Sequence, residues 1–149
     1  MREFQRIVRI WEEVRRELDA IIASASMQVP STYHLEKFVY TSGNVTTAMA
    51  HVVLRSDETF YDGVATGDGP IDAAFKAIEQ SVGYRYELDD FQIQAVTSGG
   101  ADVLGSALVR LRNAGKLYSG NAVSADIVSA SIRAYVNALN KIVYEENAR

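Results

Sequence analysis

The chain has 149 residues, is 48% hydrophobic and 23% charged, and carries a formal charge of −4. This supports a buried core in one domain or two small halves, and it argues against a basic nucleic-acid footprint. No apolar run is long enough for a membrane span, and the lack of cysteine removes disulfide and thiolate chemistry.

The opening residues, MREFQRIVRIWEEV, mix charges throughout and hold no signal-peptide core, so a cytoplasmic protein is expected. Residues 2–24 read as a helix. Phe4, Trp11 and Leu18 recur every seven residues, and Ile7, Val14 and Ile21 fill a second seam. Pro30 ends any helix before it, and SASMQVPST (24–32) has linker composition. The expected division is a linker helix over 1–30 and a folded domain over 31–149.

From residue 33 the chain resembles itself at a spacing of about fifty residues. YHLEKFVYTSG (33–43) is similar to YELDDFQIQAVTSG (86–99), with Leu35 and Phe38 matching Leu88 and Phe91. AMAHVVLR (48–55) is similar to GSALVRLR (105–112). YDGVATGDGPIDAAFKAI (61–78) is similar to LYSGNAVSADIVSASIRAYVNAL (117–139). Phe91, Ile93 and Ala95 alternate with Gln92 and Gln94, as a half-buried strand does. Then the period changes. Ile71, Ala74, Phe75 and Ile78 follow helical spacing, and Val128, Ile132, Tyr135, Leu139 and Ile142 continue one helical face. Each copy reads strand, strand, short strand, glycine turn, helix. The expected fold is α+β: two ββ(β)α half-units, 33–83 and 84–143, related by a pseudo-two-fold behind the N-terminal helix.

The stretch TGDGPIDAAF (66–75) is the candidate site. Pro70 suits the first helical position, where its missing N–H costs nothing. Gly67 and Gly69 permit positive φ and close approach of a ligand to the backbone. The following helix offers free N–H groups and a partial positive end. SGNAVSADIV (119–128) presents a similar turn in the second copy. No Lys-Ser/Thr follows the glycines, so this is no P-loop, and Asp68 and Asp72 repel a polyanion. Asp72 stands where a dinucleotide fingerprint needs its third glycine. A zwitterion suits the turn better, its carboxylate at the helix start and its ammonium near an aspartate. As a purely structural turn it would need no ligand.

Other polar residues form no reactive set. His34 and His51 lack metal-ligand spacing. Asp68 with Asp72, and Asp89 with Asp90, could be paired carboxylates or simply a helix start and a solvated strand edge. Ser98, Ser119 and Ser131 have no positioned base. No catalytic residue and no metal site is expected.

GDGPIDAAFKAI, LDDFQIQAVTSGGADVLGSALVRL and SADIVSASIRAYVNALNKI, in that order, resemble the C-terminal regulatory domain of 2-isopropylmalate synthases and citramalate synthases. The resemblance covers about residues 33–143. It implies an allosteric amino-acid sensor that forms a homodimer and binds the end-product amino acid near the glycine turns. Leucine inhibits the first family and isoleucine the second. The N-terminal helix resembles the end of the linker to a metal-dependent (β/α)₈ barrel that uses acetyl-CoA. The resemblance places cofactor and catalysis in that missing barrel, with none in this stretch, so an excised or free-standing regulatory domain is expected.

Position by position, the resemblance assigns the first ligand turn to Gly67, Asp68, Gly69, Pro70, Ile71 and Asp72. It assigns apolar pocket positions to Leu88, Phe91 and Ala95, the following turn to Val103 and Gly105, and the second glycine turn to Gly120 and Ala122. Phe91 replaces a frequent tyrosine and Ala122 a usual glycine, while Asp102 takes the usual aspartate position. Ala95 leaves room and Phe91 supplies a wall, which favours leucine as effector in branched-chain amino acid biosynthesis. Isoleucine binding, or a dimerisation module without ligand, are the alternatives.

Overall fold

The computed structural model describes residues 3–14, 29–44, 47–97 and 103–147. Residues 3–14 form helix α1, whose described residues are all exposed, Phe4, Ile7, Trp11 and Val14 included. The rest of the expected helix, with Leu18 and Ile21, and the linker up to residue 28 lie outside the described residues.

The chain then runs β1 (His34–Thr41), β2 (Ala48–Ser56), β3 (Thr59–Gly67), α2 (Pro70–Val82), β4 (Glu87–Thr97), β5 (Val103–Asn113), β6 (Lys116–Ser124) and α3 (Ile127–Asn147). It forms two antiparallel sheets, ordered β1-β2-β3 and β4-β5-β6, each followed by its helix. This is the α+β duplication that the repeat predicts. Both first strands carry an irregularity at the same place, between Leu35 and Lys37 and between Leu88 and Asp90. Two-residue turns close β2–β3 at Asp57-Glu58 and β5–β6 at Ala114-Gly115. Asp57, Ala114 and Gly115 have positive φ there, as tight hairpins demand.

Alternation sends Ala50, Val52 and Leu54 of β2, and Ala107, Val109 and Leu111 of β5, into one core with the helices. Each large aliphatic side chain buried this way contributes about 1.5–3 kcal/mol. The helices lie unusually close to their sheets. A Cβ on Gly63 would overlap the Ala77 carbonyl, and one on Gly120 would overlap that of Ala134 and stand 2.5 Å from the Ala138 nitrogen. Gly63 and Ala77 thus correspond to Gly120 and Ala134.

That register corrects one expectation. Gly120 and Ala122 sit inside strand β6, not in a turn. Gly120 is the counterpart of Gly63, and its glycine is explained by the helix lying on it. A second correction concerns φ. Among the described glycines only Gly83 and Gly115 have positive φ. Gly67 is small because a Cβ would stand 2.5 Å from the Ala73 nitrogen. The third strand of each unit is also not short, at nine residues.

The units meet through their helices. Phe75 of α2 packs 4.7 Å from Tyr135 of α3 and, edge-on at 5.5 Å, against Phe91 of β4 (ring centroids). Reciprocally, α3 holds the chain entering β1. Asn140 Nδ2 donates to the Tyr33 carbonyl at 2.9 Å, and the Tyr33 N–H donates to Asn140 Oδ1 at 2.8 Å. Each helix therefore covers its own sheet and flanks the edge strand of the other unit.

Candidate functional site

Helix α2 begins abruptly after β3. Gly69 is its N-cap in an extended conformation (φ −156°), Pro70 opens the first turn, and no side chain caps the helix. The Ala73 N–H returns to the Gly69 carbonyl at 2.9 Å. The amides of Ile71 and Asp72 are those a helix leaves without a helical partner. Asp72 folds back beside them. Its Oδ2 accepts from the Asp68 N–H at 3.0 Å and pairs with Lys76 Nζ at 3.0 Å. These contacts, the Asp68 N–H first and Lys76 second, hold its carboxyl below the usual aspartate value.

The start of α3 is closed instead. Asp126 Oδ1 accepts from the Val128 N–H at 3.1 Å and Oδ2 from the Ser129 N–H at 3.3 Å. The protein's own carboxylate occupies the place an external anion would take. The turn that precedes α3 is Ser124–Asp126, and the glycine expected there lies further back in β6.

The remaining expected residues divide between the two units. Leu88 is exposed at the start of β4, and Phe91 is half-buried against Phe75. Asp72 and Leu88 line one groove, and Phe75 in its wall brings Phe91 to it. Ala95 pairs with Gly105 across β4–β5. A Cβ on Gly105 would stand 3.0 Å from Ile127 Cγ1, so this position belongs to the start of α3. Gly120 lies under α3, and Ala122 lines a second groove beside it. Val103 pairs with Thr97 through its main chain, while its side chain, Ser98 and Asp102 lie outside the described residues. Asp89 and Asp90 do not form a carboxylate pair for proton transfer. Each faces an arginine of β5, Asp89 with Arg112 at 2.8 Å and Asp90 with Arg110 at 3.9 Å.

The two grooves are counterparts. The first, about 770 Å³, lies between α2 and the chain entering β4; Lys76, Glu79, Tyr86 and Leu88 are among its walls. The second, about 390 Å³, lies between α3 and the chain entering β1, with Arg133, Val136, Tyr33 and Leu35 in the same places. The Asn140 side chain bridges the second one to Tyr33. In the repeat register Asn140 corresponds to Gly83, the left-handed cap that ends α2, which has no side chain to make that bridge. Sequence reasoning missed Tyr135, Glu79 and Arg85, which border the first groove. Tyr135 reads as one more member of a buried stripe. A phenol among valine, isoleucine and leucine, and so in need of a partner, was its one signal.

These features define a class: a duplicated βββα domain with one open and one closed helix start, and a groove beside each helix, one of them bridged by Asn140. The model of the LeuA allosteric (dimerisation) domain matches residues 13–143, and the chain belongs to this family. It is 38% identical over 130 residues to a 2-isopropylmalate synthase of Ruminiclostridium cellulolyticum, covering 87% of this chain and 25% of that protein. It is 40% identical over 129 residues to that of Heliobacterium modesticaldum, covering 87% and 25%. It is 39% identical over 132 residues to that of Prochlorococcus marinus, covering 88% and 24%. The chain spans about a quarter of the length of these curated relatives.

Proposed function

We propose that this chain is the leucine-sensing and dimerisation domain of a 2-isopropylmalate synthase, and that it confers feedback inhibition on a catalytic barrel joined through α1. The observation that carries this reading is the family match from residue 13 to 143, together with relatives that share that name. The metal and the acetyl-CoA chemistry belong to the barrel. The domain pairs with a second copy.

The effector's carboxylate sits at the open start of α2, on the amides of Ile71 and Asp72, with Gly67, Asp68, Gly69 and Pro70 shaping the turn. Gly69 supports this placement. Its φ is extended, and a Cβ there would meet nothing within 4 Å, so neither conformation nor packing requires glycine. A glycine there suits the helix N-cap and leaves room for a ligand to approach the main chain. Asp68 faces the ammonium, and Leu88, Phe91 and Ala95 supply apolar walls. Val103 and Ala122 belong to the α3 side, and a second copy is the route by which they would border the same effector, while Gly105 and Gly120 are buried against α3.

A carboxylate at a partly buried helix start contributes up to about 2 kcal/mol, and burying a leucine side chain about 1.5–3 kcal/mol. With an ammonium contact added, affinities between millimolar and micromolar follow, about −4 to −8 kcal/mol. The ligand inhibits by preferring one arrangement of the paired domains. Calorimetry on this chain with leucine, isoleucine and valine tests the reading. Saturable leucine binding is expected. Binding of isoleucine alone would move the domain to a citramalate synthase, and no binding of any would leave a structural dimerisation module.

A further inference from the structure

The hydroxyl of Tyr135 is buried and has no hydrogen-bond partner among the described residues, although its side chain borders the first groove. Tyr135 is 1% exposed. A buried hydroxyl left unpaired is costly, so an occupant of the groove is the natural partner. Burial is the first cause that pushes this phenol above its usual value, and the nearby Glu79 carboxylate is the second, so it enters any contact as a neutral hydroxyl.

The duplication shows that these groups are not demanded by the packing. Beside the second groove, the place that Tyr135 has beside the first is taken by Ile78 of α2, fully buried in the core. The position of Glu79 is taken by Val136, and the groove there is bridged by Asn140. The same architecture thus carries isoleucine and valine at these two positions beside one groove, and a hydroxyl and a carboxylate beside the other. The charges of the first groove are not all satisfied internally. Lys76 is held by Asp72 at 3.0 Å, while Arg85, 88% exposed, reaches Glu79 only at 4.0 Å.

We propose that this groove holds a second ligand position, additional to the start of α2 and adjoining it through Asp72 and Leu88, for a small zwitterion of the aliphatic α-amino acid class. The ammonium donates to the Glu79 carboxylate and to the Tyr135 hydroxyl oxygen. The carboxylate takes Arg85 in place of the loose Glu79 contact, and the aliphatic body lies on Phe75 and Leu88.

The test is calorimetry and amide NMR on the 149-residue chain with leucine, 3-methylbutylamine and 4-methylpentanoate, for the wild type, Tyr135→Phe, Glu79→Gln and Gly69→Asp. The expected result is amine-dependent binding that shifts the amides around Tyr86–Leu88. Tyr135→Phe and Glu79→Gln each weaken it by about tenfold, the scale of one lost charge-assisted hydrogen bond. Gly69→Asp, which alters the helix start alone, leaves it in place. The carboxylate-only probe does not shift those amides. Binding that is indifferent to both groove substitutions, or no amine binding at millimolar concentration, overturns the site and leaves the helix-start reading standing. A Tyr135→Phe protein with changed thermal stability and unchanged binding overturns it too, by assigning the hydroxyl to a buried water. Glu79→Gln changes a half-buried side chain and keeps the question answerable should Tyr135→Phe not fold.

Discussion

Replacing Gly120 by alanine tests whether that glycine serves packing rather than a turn. The new Cβ would overlap the Ala134 carbonyl oxygen and stand 2.5 Å from the Ala138 nitrogen, both main-chain atoms of α3 that cannot rotate away. Ordinary contact lies at 3.4–4 Å, so α3 must retreat by about 1 Å from its sheet. A gap of that size forfeits roughly a quarter to a half of the dispersion contact across it. The side chains that α3 buries include Val128, Ile132, Leu139 and Ile142. At about 1.5–3 kcal/mol each, losing a quarter of their burial removes about 1.5–3 kcal/mol. Overpacking strain adds a further 1–3 kcal/mol or so. The total, about 3–6 kcal/mol, lowers Tm by roughly 2–4 °C per kcal/mol for a chain this long. Gly63→Ala meets Ala77 in the same way and should behave alike. Gly69→Ala is the control. Its Cβ meets nothing, and weaker capping offsets the lower entropy of the unfolded chain, so its net effect is below about 1 kcal/mol. Urea and thermal denaturation of the three variants decide the matter. A Gly120→Ala protein as stable as Gly69→Ala would refute the close packing of α3 on β6 and return Gly120 to the list of turn residues.

Asn140→Ala removes both hydrogen bonds between α3 and the Tyr33 main chain and should cost about 1–3 kcal/mol. Amide exchange should quicken in the first residues of β1 before it does in β4. Asp126→Ala strips the cap from α3 at a cost of about 1 kcal/mol in denaturant titrations, and it should expose a second helix start to anions. Groove binding should also depend on pH through Glu79, whose carboxyl is pushed above 4.5 first by burial, with Arg85 and Lys76 opposing and Asp72 reinforcing. Beside Glu79, the charged and titratable groups that face this groove are Asp72 and Lys76 on α2, Arg85, Tyr86 and Glu87 at the β4 end, and Tyr135 on α3. An ammonium ligand prefers the ionised carboxylate, so affinity is full above the raised value and falls as pH drops through it. In the absence of ligand the sign reverses: the folded state binds this proton more tightly than the unfolded one, and stability gains as pH falls. Calorimetric affinities from neutral pH downward should show this slope in the wild type and lose it in Glu79→Gln.

The periods carried most of the fold. Strand alternation through Ala50–Leu54 and Ala107–Leu111 and helical spacing through Ile71–Ile78 are consequences of burial on one face, so they are written locally. The matching irregularities after Leu35 and Leu88 reinforce the repeat. What local pattern could not separate is why a glycine is a glycine. Gly120 reads the same whether the backbone turns or a helix presses on it, and only the position of Ala134 and Ala138 decides. The start of α3 was obscured for a related reason, since the glycine drew attention from Asp126, the residue that caps the helix. The Asn140–Tyr33 bridge joins residues 107 apart in sequence and has no local signature. Tyr135 is hidden by its own periodicity, because a buried stripe explains its ring and says nothing of its oxygen.

A duplication starts with two equivalent sites, and the differences between the halves indicate which was kept for binding. Both helix starts could accept an anion, yet α3 carries an internal carboxylate there and α2 does not. Both grooves could admit a ligand, yet the one beside α3 is bridged by a carboxamide while the one beside α2 bears the unpaired hydroxyl. The two asymmetries are structurally independent, since a cap at the beginning of α3 does not require a bridge near its end. They nevertheless point the same way. Both leave unsatisfied groups beside α2: the free amides of its own first turn, and the hydroxyl of Tyr135 on α3, which borders its groove. A ligand that satisfies them therefore acts on α2. Because α2 packs against α3 through Phe75 and Tyr135, a change in its position reaches the joint between the halves.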